Sequence, residues 1–319
     1  MSLPEIFTNE DKARQHLEAQ RWPAGPFCPH CGNKNPARIR KLEGKSTRPG
    51  VYKCNECRKP FSVTVGTVFE RSKVPLHMWM YATHMMTSSK KGISAHQLMR
   101  MLGVTYPTAW FMAHRIREAM GDIPGSAEPA GGEGKTVECD ETYFGKPEKL
   151  KTARKDGTPY TKKTRGPANK RAIVALVERG GSVRSFHVES ATKDTVRQIL
   201  VTNVRRSTRL HTDESRLYPE VGKEFAEHET VKHSDYEYVR GDVHTNTIEG
   251  YFSVFKRGMK GVYQHCSEKH LHRYLKEFDF RYNNRSALGV EDSERRDIAL
   301  AKIAGKRLTY RRINGSVNA

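Results

Sequence analysis

Three acidic residues stand where their carboxylates can act together. Asp140 lies in the segment 136–144 (TVECDETYF), whose residue types predict a strand, and Asp213 ends a second, shorter predicted strand. Glu249 lies on a predicted helix further along the chain. Carboxylate oxygens are the ligands that hard divalent cations prefer, and two cations about 4 Å apart can activate an attacking oxygen and stabilise a leaving one in phosphodiester chemistry. The three acids therefore predict a Mg²⁺ (or Mn²⁺) site for that chemistry.

The helix that carries Glu249, predicted from about His244 to Lys260, has two distinct faces. Steps of 100° per residue bring its polar residues into one narrow sector and its large apolar residues into another. The polar sector holds Asn246, Glu249, Ser253 and Lys256, and the apolar sector holds Ile248, Tyr251, Phe252 and Phe255. Within this sector Glu249 offers a carboxylate oxygen to a cation and Asn246 offers an amide oxygen. We favour Glu249, because a carboxylate neutralises a divalent cation and an amide does not.

Four cysteines form two Cys-x-x-Cys pairs, Cys28 with Cys31 and Cys54 with Cys57. Each pair can place two thiolates on one tight turn, and two pairs complete a tetrahedral Zn²⁺ site. The residues between the pairs have the strand and turn composition of a ribbon. Four cysteine ligands leave no open coordination position, so the zinc is predicted to be structural. A redox dithiol is the alternative, and we interpret His30, between two of the ligands, as a bystander.

Residues 75–120 have helical spacing. The segment from Ala95 to Leu102 predicts a helix that ends at Gly103, and Thr105 predicts the start of the next one. A helix, a turn with glycine and a second helix make the helix-turn-helix layout, in which the second helix enters the major groove of DNA. We predict that four residues of this second helix are exposed for DNA contact: Tyr106, Thr108, His114 and Arg115. A helical spacer that does not contact DNA is the alternative.

The chain carries a strong positive charge. Its 319 residues include 56 Lys or Arg against 36 Asp or Glu, which gives a formal charge of +20 and a pI near 9.7. Such an excess attracts polyanions and releases counterions at a phosphate backbone, so we expect nucleic acid as the partner rather than charge for solubility alone. The helix-turn-helix layout favours double-stranded DNA. No apolar run has the length of a membrane span, and the N-terminus lacks a signal-peptide pattern. We expect a cytoplasmic, nucleoid-associated protein without a membrane partner.

The predicted fold is a multidomain one. We assign 1–68 to a zinc ribbon, 69–122 to the helix-turn-helix segment, 123–135 to a linker, 136–287 to an α/β domain with a mixed sheet flanked by helices, and 288–319 to a basic tail. The α/β domain carries a basic insert at 146–171. Within this insert, Lys162, Lys163 and Arg165 are candidate contacts to DNA phosphates, and a solvated loop is the alternative.

Two further acids flank Asp140 in the first strand of the α/β domain. We interpret both Glu138 and Glu141 as pointing to the other face of the strand, away from the site. The two cysteines outside the pairs, Cys139 and Cys266, are interpreted as packed thiols.

These residues resemble the DDE transposases of bacterial insertion sequences, in the subgroup that carries a zinc ribbon. The resemblance is most specific at 244–256 (HTNTIEGYFSVFK) and 269–285 (KHLHRYLKEFDFRYNNR). It implies a ribonuclease-H-like catalytic domain whose metal ligands are Asp140, Asp213 and Glu249. It also implies that Lys256 touches DNA near the scissile phosphate, and members of the subgroup have either Glu or Asn as the third residue, which keeps Asn246 in the site.

The resemblance implies an enzyme that works at the ends of a mobile element. The ribbon and the helix-turn-helix would bind terminal inverted repeats, and the acids would direct hydrolysis that frees a 3′-hydroxyl and then its transfer to target DNA. Two ends must be joined, so a homo-oligomer on DNA is expected. Two other functions stay open: a DNA-binding regulator with an inactive catalytic domain, and a ribonuclease-H-like nuclease that cuts without strand transfer.

Overall fold

Residues 3–122, 128–146 and 170–309 are described by the structure, which is a computed structural model. The chain divides into two compact units. The first, the ribbon unit, comprises Met1–Gly121 together with Gly289–Ala319, and the second, the sheet unit, comprises Asp122–Leu288. Among the described residues, no helix combines the length and the apolarity that crossing a membrane requires.

The ribbon unit begins with a helix that the sequence analysis did not predict. Helix α1 (Glu10–Arg21) starts after Asn9, whose side chain accepts hydrogen bonds from the backbone amides of Asp11 and Lys12. A three-stranded antiparallel sheet follows, formed by β1 (Ile39–Lys41), β2 (Val51–Cys54) and β3 (Pro60–Ser62) in the order β1-β2-β3. The predicted N-terminal ribbon is therefore present, with a third strand after the second cysteine pair.

The helical part of the ribbon unit contains α2 (Leu76–Ser88), α3 (Ala95–Leu102), α4 (Tyr106–Met120) and α9 (Asp292–Ala301). Helix α3 ends at Gly103, which has φ +64°, a backbone conformation that glycine adopts at little cost. Helix α4 begins after Thr105. The bounds of α3 and α4 thus confirm the predicted helix, turn and helix.

The C-terminal residues extend the ribbon unit. The sequence analysis assigned 288–319 to a basic tail of its own, whereas α9 packs against α2, α1 and α4 of the ribbon unit. Leu300 and Ile303 are buried there, each 2% exposed. The difference arises because α9 is amphipathic, so its apolar side chains are buried only when another helix covers them.

The sheet unit is built on a five-stranded mixed sheet in the order β6-β5-β4-β7-β8. Its strands are β4 (Thr136–Phe144), β5 (Arg171–Glu178), β6 (Val183–Val188), β7 (Arg209–Asp213) and β8 (Glu227–Val231). The three strands from β6 to β4 are antiparallel, whereas β4, β7 and β8 are parallel. This mixed sheet flanked by helices confirms the predicted ribonuclease-H-like fold class.

Helices cover both faces of this sheet. One face packs on α7 (Asn246–Gly258) and α8 (Leu271–Asn283), and the other packs on α5 (Lys193–Asn203) and α6 (Pro219–Gly222). Along β5, Ile173, Ala175 and Val177 face the first layer, while Val174 and Leu176 face the second. Because β5 is buried on both faces, its sequence is a continuous apolar run rather than an alternating one. A π-helical segment, Met259–Tyr263, prolongs α7.

A short hairpin lies between β8 and α7. It contains a 3-10 turn, His233–Asp235, followed by β9 (Val239–Arg240) and β10 (Val243–His244), which pair antiparallel. Neither β8 nor this hairpin was predicted.

Part of the predicted linker is folded onto the sheet. Residues 123–127 lie outside the described residues, but Ala130 forms a parallel bridge with Val204, and the amide of Gly132 donates to Thr208 Oγ1 at 2.9 Å. A Cβ atom at Gly131 would stand 2.2 Å from Thr208 Oγ1, so the close approach requires glycine. The glycines that resembled a flexible linker therefore permit close packing.

Candidate active site

The two aspartates of the predicted site come from neighbouring parallel strands. Thr136 pairs with Arg209 and Glu138 pairs with His211, so the same register carried forward places Asp140 beside Asp213. Asp140 lies in the middle of β4 and Asp213 ends β7. The parallel pairing of β4 with β7 thus explains how two aspartates with 72 residues between them come together.

A third carboxylate joins the two aspartates, and it is not the expected one. Asp140, Glu141 and Asp213 each offer an oxygen that lies within 4.8 Å of the others, and we call these residues the acid cluster. The prediction that Glu141 points away from the site was wrong. The hydroxyls of Tyr218 and Ser215 donate to the Glu141 carboxylate, and the amide of Ser215 donates to Asp213 Oδ1 at 3.0 Å.

Alternation along β4 places Glu141 on the face of Cys139, where Tyr218 also packs, and the Glu141 carboxylate still reaches Asp213 at the end of β7. The pairing of β4 with β7 ends at Glu138, and the loop after β7 supplies the two hydroxyls that hold the Glu141 carboxylate beside Asp213. Both donors come from residues 74 or more positions further along the chain. In the sequence, the only indication that Glu141 belongs to the site is its position next to Asp140.

Glu138 lies apart from the acid cluster and is fully buried, with 0% exposure, on the side of β4 that contacts α7. The prediction that it points to the face opposite Asp140 was therefore wrong. Its carboxylate accepts hydrogen bonds from Arg179 Nε at 2.7 Å, from Thr247 Oγ1 at 2.8 Å and from the amide of Ile248 at 3.0 Å. The last two donors belong to the first turn of α7, where a negative charge is favourable. Glu138 therefore fastens the strand of Asp140 to the start of the helix that carries Glu249.

An open cleft of about 700 Å³ lies beside the acid cluster. Its walls are formed by Asp140, Glu141, Thr142, Glu249, Phe252, Ser253, Lys256, Arg257, Lys260 and Gly261. Three members of the predicted polar sector of α7 line this cleft: Glu249, Ser253 and Lys256. Asn246, the first residue of α7, is exposed and is not among the lining residues. Glu249 therefore lines the cleft and Asn246 does not.

Glu249 is held by a residue of its own helix start. Its carboxylate accepts a hydrogen bond from Thr245 Oγ1 at 2.9 Å, and its Oε1 lies 3.6 Å from His233 Nε2. The side chain is 45% exposed, so it can reach a ligand in the cleft.

Burial and mutual repulsion perturb the acid cluster. Burial, with the carboxylates of Asp213 and Glu141 nearby, raises the pKa of Asp140 to about 8. Burial also raises the pKa of Glu141 and of Asp213. On the opposite wall, burial lowers the pKa of Lys256. Crowded carboxylates are stabilised by a divalent cation, and their hard oxygen donors suit Mg²⁺ or Mn²⁺. The residues present therefore fit such a metal.

The four paired cysteines converge in the ribbon. Cys28 Sγ lies 3.6 Å from Cys57 Sγ, and Cys31 Sγ lies 3.7 Å from Cys54 Sγ. Tetrahedral zinc with bonds of about 2.3 Å places its sulfurs about 3.8 Å apart, so the separations fit that ion. We call these four residues the cysteine cluster. His30 lies outside it, with Nε2 3.2 Å from the carbonyl oxygen of Pro60, as the bystander interpretation expects.

Two of the predicted DNA contacts on α4 are buried. His114 is 1% exposed and Arg115 is 9% exposed. The Arg115 guanidinium donates to the carbonyl oxygens of Glu70 and Leu308, both at 3.2 Å. The prediction that these two side chains face DNA was wrong, because α2, α3 and α9 cover α4. Tyr106 (41% exposed) and the half-buried Thr108 remain accessible at the start of α4.

The three basic candidates of the insert lie outside the described residues. They are Lys162, Lys163 and Arg165. Their contact with DNA stays a prediction.

Comparison with known proteins shows similarity to transposases in both units of the chain. Residues 130–283 match the family described as the ISXO2-like transposase domain, and residues 8–60 match a transposase zinc-ribbon domain. A curated relative, described as an uncharacterized protein in transposable element ISH50 of Halobacterium salinarum, is 30% identical over 283 residues, which are 86% of this chain and 91% of the relative. The fold and sites define a DDE-type transposase with a zinc ribbon. The chain belongs to the ISXO2-like transposase family.

Solved structures show a weaker likeness. The Mos1 transposase paired-end complex with left transposon end is 15% identical, with a TM-score of 0.22, and the match covers 61% of this chain and 73% of that one. The Mos1 mariner paired end complex with Mn is 16% identical, with the same TM-score and coverage.

Proposed function

We propose that this chain is an active transposase that binds the ends of an insertion sequence, cleaves them and joins the freed 3′-hydroxyl to target DNA. The observation that carries the proposal is the meeting of acids from two parallel strands with Glu249 of α7 around one cleft, in a chain of a transposase family. The formal charge of +20 supports DNA as the substrate. Joining two ends requires a dimer or larger assembly on DNA.

In this proposal the acidic and the basic residues of the cleft have different roles. Asp140, Asp213 and Glu249 would hold the divalent cations, and Glu141 adds a fourth carboxylate next to the aspartates. Such cations activate the attacking oxygen and stabilise the leaving oxygen of a phosphodiester. Lys256 and Arg257 of α7 bind the phosphate oxygens of the strand that enters the cleft, because their positive charges attract phosphate.

The remaining groups of the cleft hold the acids in place. Ser215 and Tyr218 donate to Glu141, and Thr245 donates to Glu249, so the carboxylates are oriented before a metal arrives. Such supporting hydrogen bonds fix ligand geometry. In the ribbon unit, the cysteine cluster would hold a structural Zn²⁺ that keeps the DNA-binding surface folded.

The proposal separates binding from catalysis, and a single variant tests this separation. Asp213→Ala should abolish cleavage of DNA that carries the element's ends in Mg²⁺, while an electrophoretic shift assay shows end binding within a factor of two to three of wild type. Loss of both activities together would argue against the assigned roles. Tight end binding without any cleavage by the wild type would identify a regulator instead.

A second assay separates a transposase from a nuclease. Wild-type protein is given ends that are already cut and a target plasmid. Joined products support strand transfer, whereas cleavage of uncut ends without joining of pre-cut ends would assign the chain to the nucleases.

A further inference from the structure

The hairpin between β8 and α7 carries two exposed aromatic side chains. Tyr236 is 84% exposed and Tyr238 is 52% exposed, and Val239 beside them is 51% exposed. These three are among only seven large hydrophobic side chains that are exposed by 40% or more in the part of the chain that the structure describes. We call Tyr236 and Tyr238 the tyrosine pair.

The backbone directly after the 3-10 turn of this hairpin is strained. Tyr236 has φ +59°, in the left-handed region that bulky residues rarely adopt. The turn is held by backbone hydrogen bonds from Tyr236 to His233 at 3.2 Å and from Glu237 to Lys232 at 3.0 Å. The backbone therefore has an unfavourable conformation at Tyr236, although the Tyr236 ring is not buried. Such positions concentrate at functional sites.

The hairpin is fastened to the elements that carry the acids. The amides of His233 and Ser234 donate to the carboxylate of Glu214, which directly follows β7, at 2.7 and 3.0 Å. The His233 ring lies edge-on to the Tyr238 ring, with centroids 5.1 Å apart, and His233 Nε2 lies 3.6 Å from Glu249 Oε1. The His233 side chain therefore lies between Tyr238 and Glu249, an acid of the cleft.

The chemistry of the tyrosine pair fits a nucleobase better than a protein. A stable protein interface buries about 800 Å² on each partner, far more than three exposed side chains supply. An aromatic ring stacks on any base, because every base has a π face, whereas a base inside a duplex already has stacking partners on both sides. Because His233 lies between Tyr238 and Glu249 of the cleft, a strand that enters the cleft would pass near the hairpin.

We propose that Tyr236 and Tyr238 form a stacking surface for an unpaired nucleobase of the DNA strand that enters the cleft. This rests on the proposed function, since only a strand in the cleft brings a base to the hairpin. The tyrosine pair therefore favours DNA whose base pair next to the cleavage point is open, and it does so without regard to base identity.

The experiment uses the full-length protein in buffer without divalent cations. The probes are two DNA duplexes of one sequence, one fully paired and one with a short unpaired tract, each with 2-aminopurine at the same position within that tract. Wild type should bind the unpaired probe more tightly and change its fluorescence as the base stacks. The double variant Tyr236→Ala/Tyr238→Ala should bind the unpaired probe about 5- to 150-fold more weakly, with paired DNA unaffected.

Two variants serve as controls. Tyr236→Phe/Tyr238→Phe keeps the aromatic faces and should retain the preference, and Leu288→Ala, at another exposed apolar position of the sheet unit, should behave as wild type. Equal binding of both probes by wild type would overturn the proposal. A smaller assembly for the alanine variant in sedimentation, with its DNA preference unchanged, would assign the tyrosine pair to contact between copies and would overturn the proposal too. A wild type that prefers the unpaired probe but never cleaves DNA in Mg²⁺ would support stacking and refute the transposase function separately.

Discussion

The cysteine cluster and the acid cluster are assembled in different ways. The four cysteines lie within 30 positions of one another and arrive as two pairs, each on its own turn. The acid cluster combines β4 with β7, and Glu249 joins its cleft from α7 after a further 35 residues. A site built from local turns depends on spacing alone, whereas a site built from strands depends on register and on loops far away in the chain.

The largest effect is expected in the cysteine cluster. Cys54→Ala removes one of four ligands from a site whose metal binding is coupled to folding of the ribbon, so the variant should lose zinc and the ribbon should become sensitive to protease. The measurements are zinc content and limited proteolysis. Cys266→Ala is the matched control, because this buried thiol lies outside the cluster. A variant with full zinc content and unchanged proteolysis would contradict the ligand assignment.

Glu138 is the next test, since it connects β4 with α7. Glu138→Gln leaves Arg179 without its carboxylate and removes the charge under the first turn of α7, so unfolding in urea should show a loss of about 3 kcal/mol. Glu227→Gln, at an exposed ion pair with Arg209, should change stability by less than about 1 kcal/mol. Similar losses for both variants would refute the claim that Glu138 fastens these elements.

A variant of Glu141 tests whether this residue, which was not among the predicted ligands, contributes to metal binding. Glu141→Gln should lower the rate of DNA cleavage about 10- to 100-fold and raise the Mg²⁺ concentration needed for half-maximal rate, because a carboxylate beside the aspartates is lost. Glu220→Gln, on an exposed surface pair with Lys193, provides the control. An unchanged Mg²⁺ requirement would show that the proximity of Glu141 to Asp140 has no consequence for the metal.

The smallest effect is a dependence of stability on pH. The raised pKa of Asp140, about 8, means that the folded protein binds this proton more tightly than the unfolded chain does, so stability falls as pH rises from 6 to 9. Mg²⁺ should remove the fall, and Asp140→Asn should reduce it. Thermal unfolding at pH 6 and 9, with and without Mg²⁺, measures this. A rise in stability with pH in the absence of metal would contradict the assigned sign.

Local signals explain which parts of the fold were predictable. Helix α3 ends at a glycine with positive φ, α4 begins directly after Thr105, and β5 is an apolar run, so each boundary follows from neighbouring residues. Strand β8 (EHETV) has a polar sequence and pairs only because β7 lies beside it. His114 is buried because α4 is covered by helices that include α9, which comes from the other end of the chain.

The residues of the candidate site differ in the same way, since local sequence predicts some of them and not others. Strand and helix patterns predicted the elements of Asp140, Asp213 and Glu249, and the structure has Asp140 on β4, Asp213 at the end of β7 and Glu249 on α7. Glu141 was missed because its position depends on Ser215 and Tyr218, which follow β7. Glu138 was missed because its donors belong to α7 and to Arg179. Both sets of donors lie far from β4 in the sequence, so no pattern close to β4 indicates these hydrogen bonds.

The central claim is that the cleft beside Asp140 and Asp213 joins DNA with Glu249 as its third acid. The most direct measurement is a strand-transfer assay in Mg²⁺ on pre-cut DNA that carries the element's ends, with wild type, Glu249→Gln and Asn246→Ala. We predict joined products for wild type and for Asn246→Ala, and a loss of about 10³-fold for Glu249→Gln. Products that disappear with Asn246→Ala and persist with Glu249→Gln would contradict the claim.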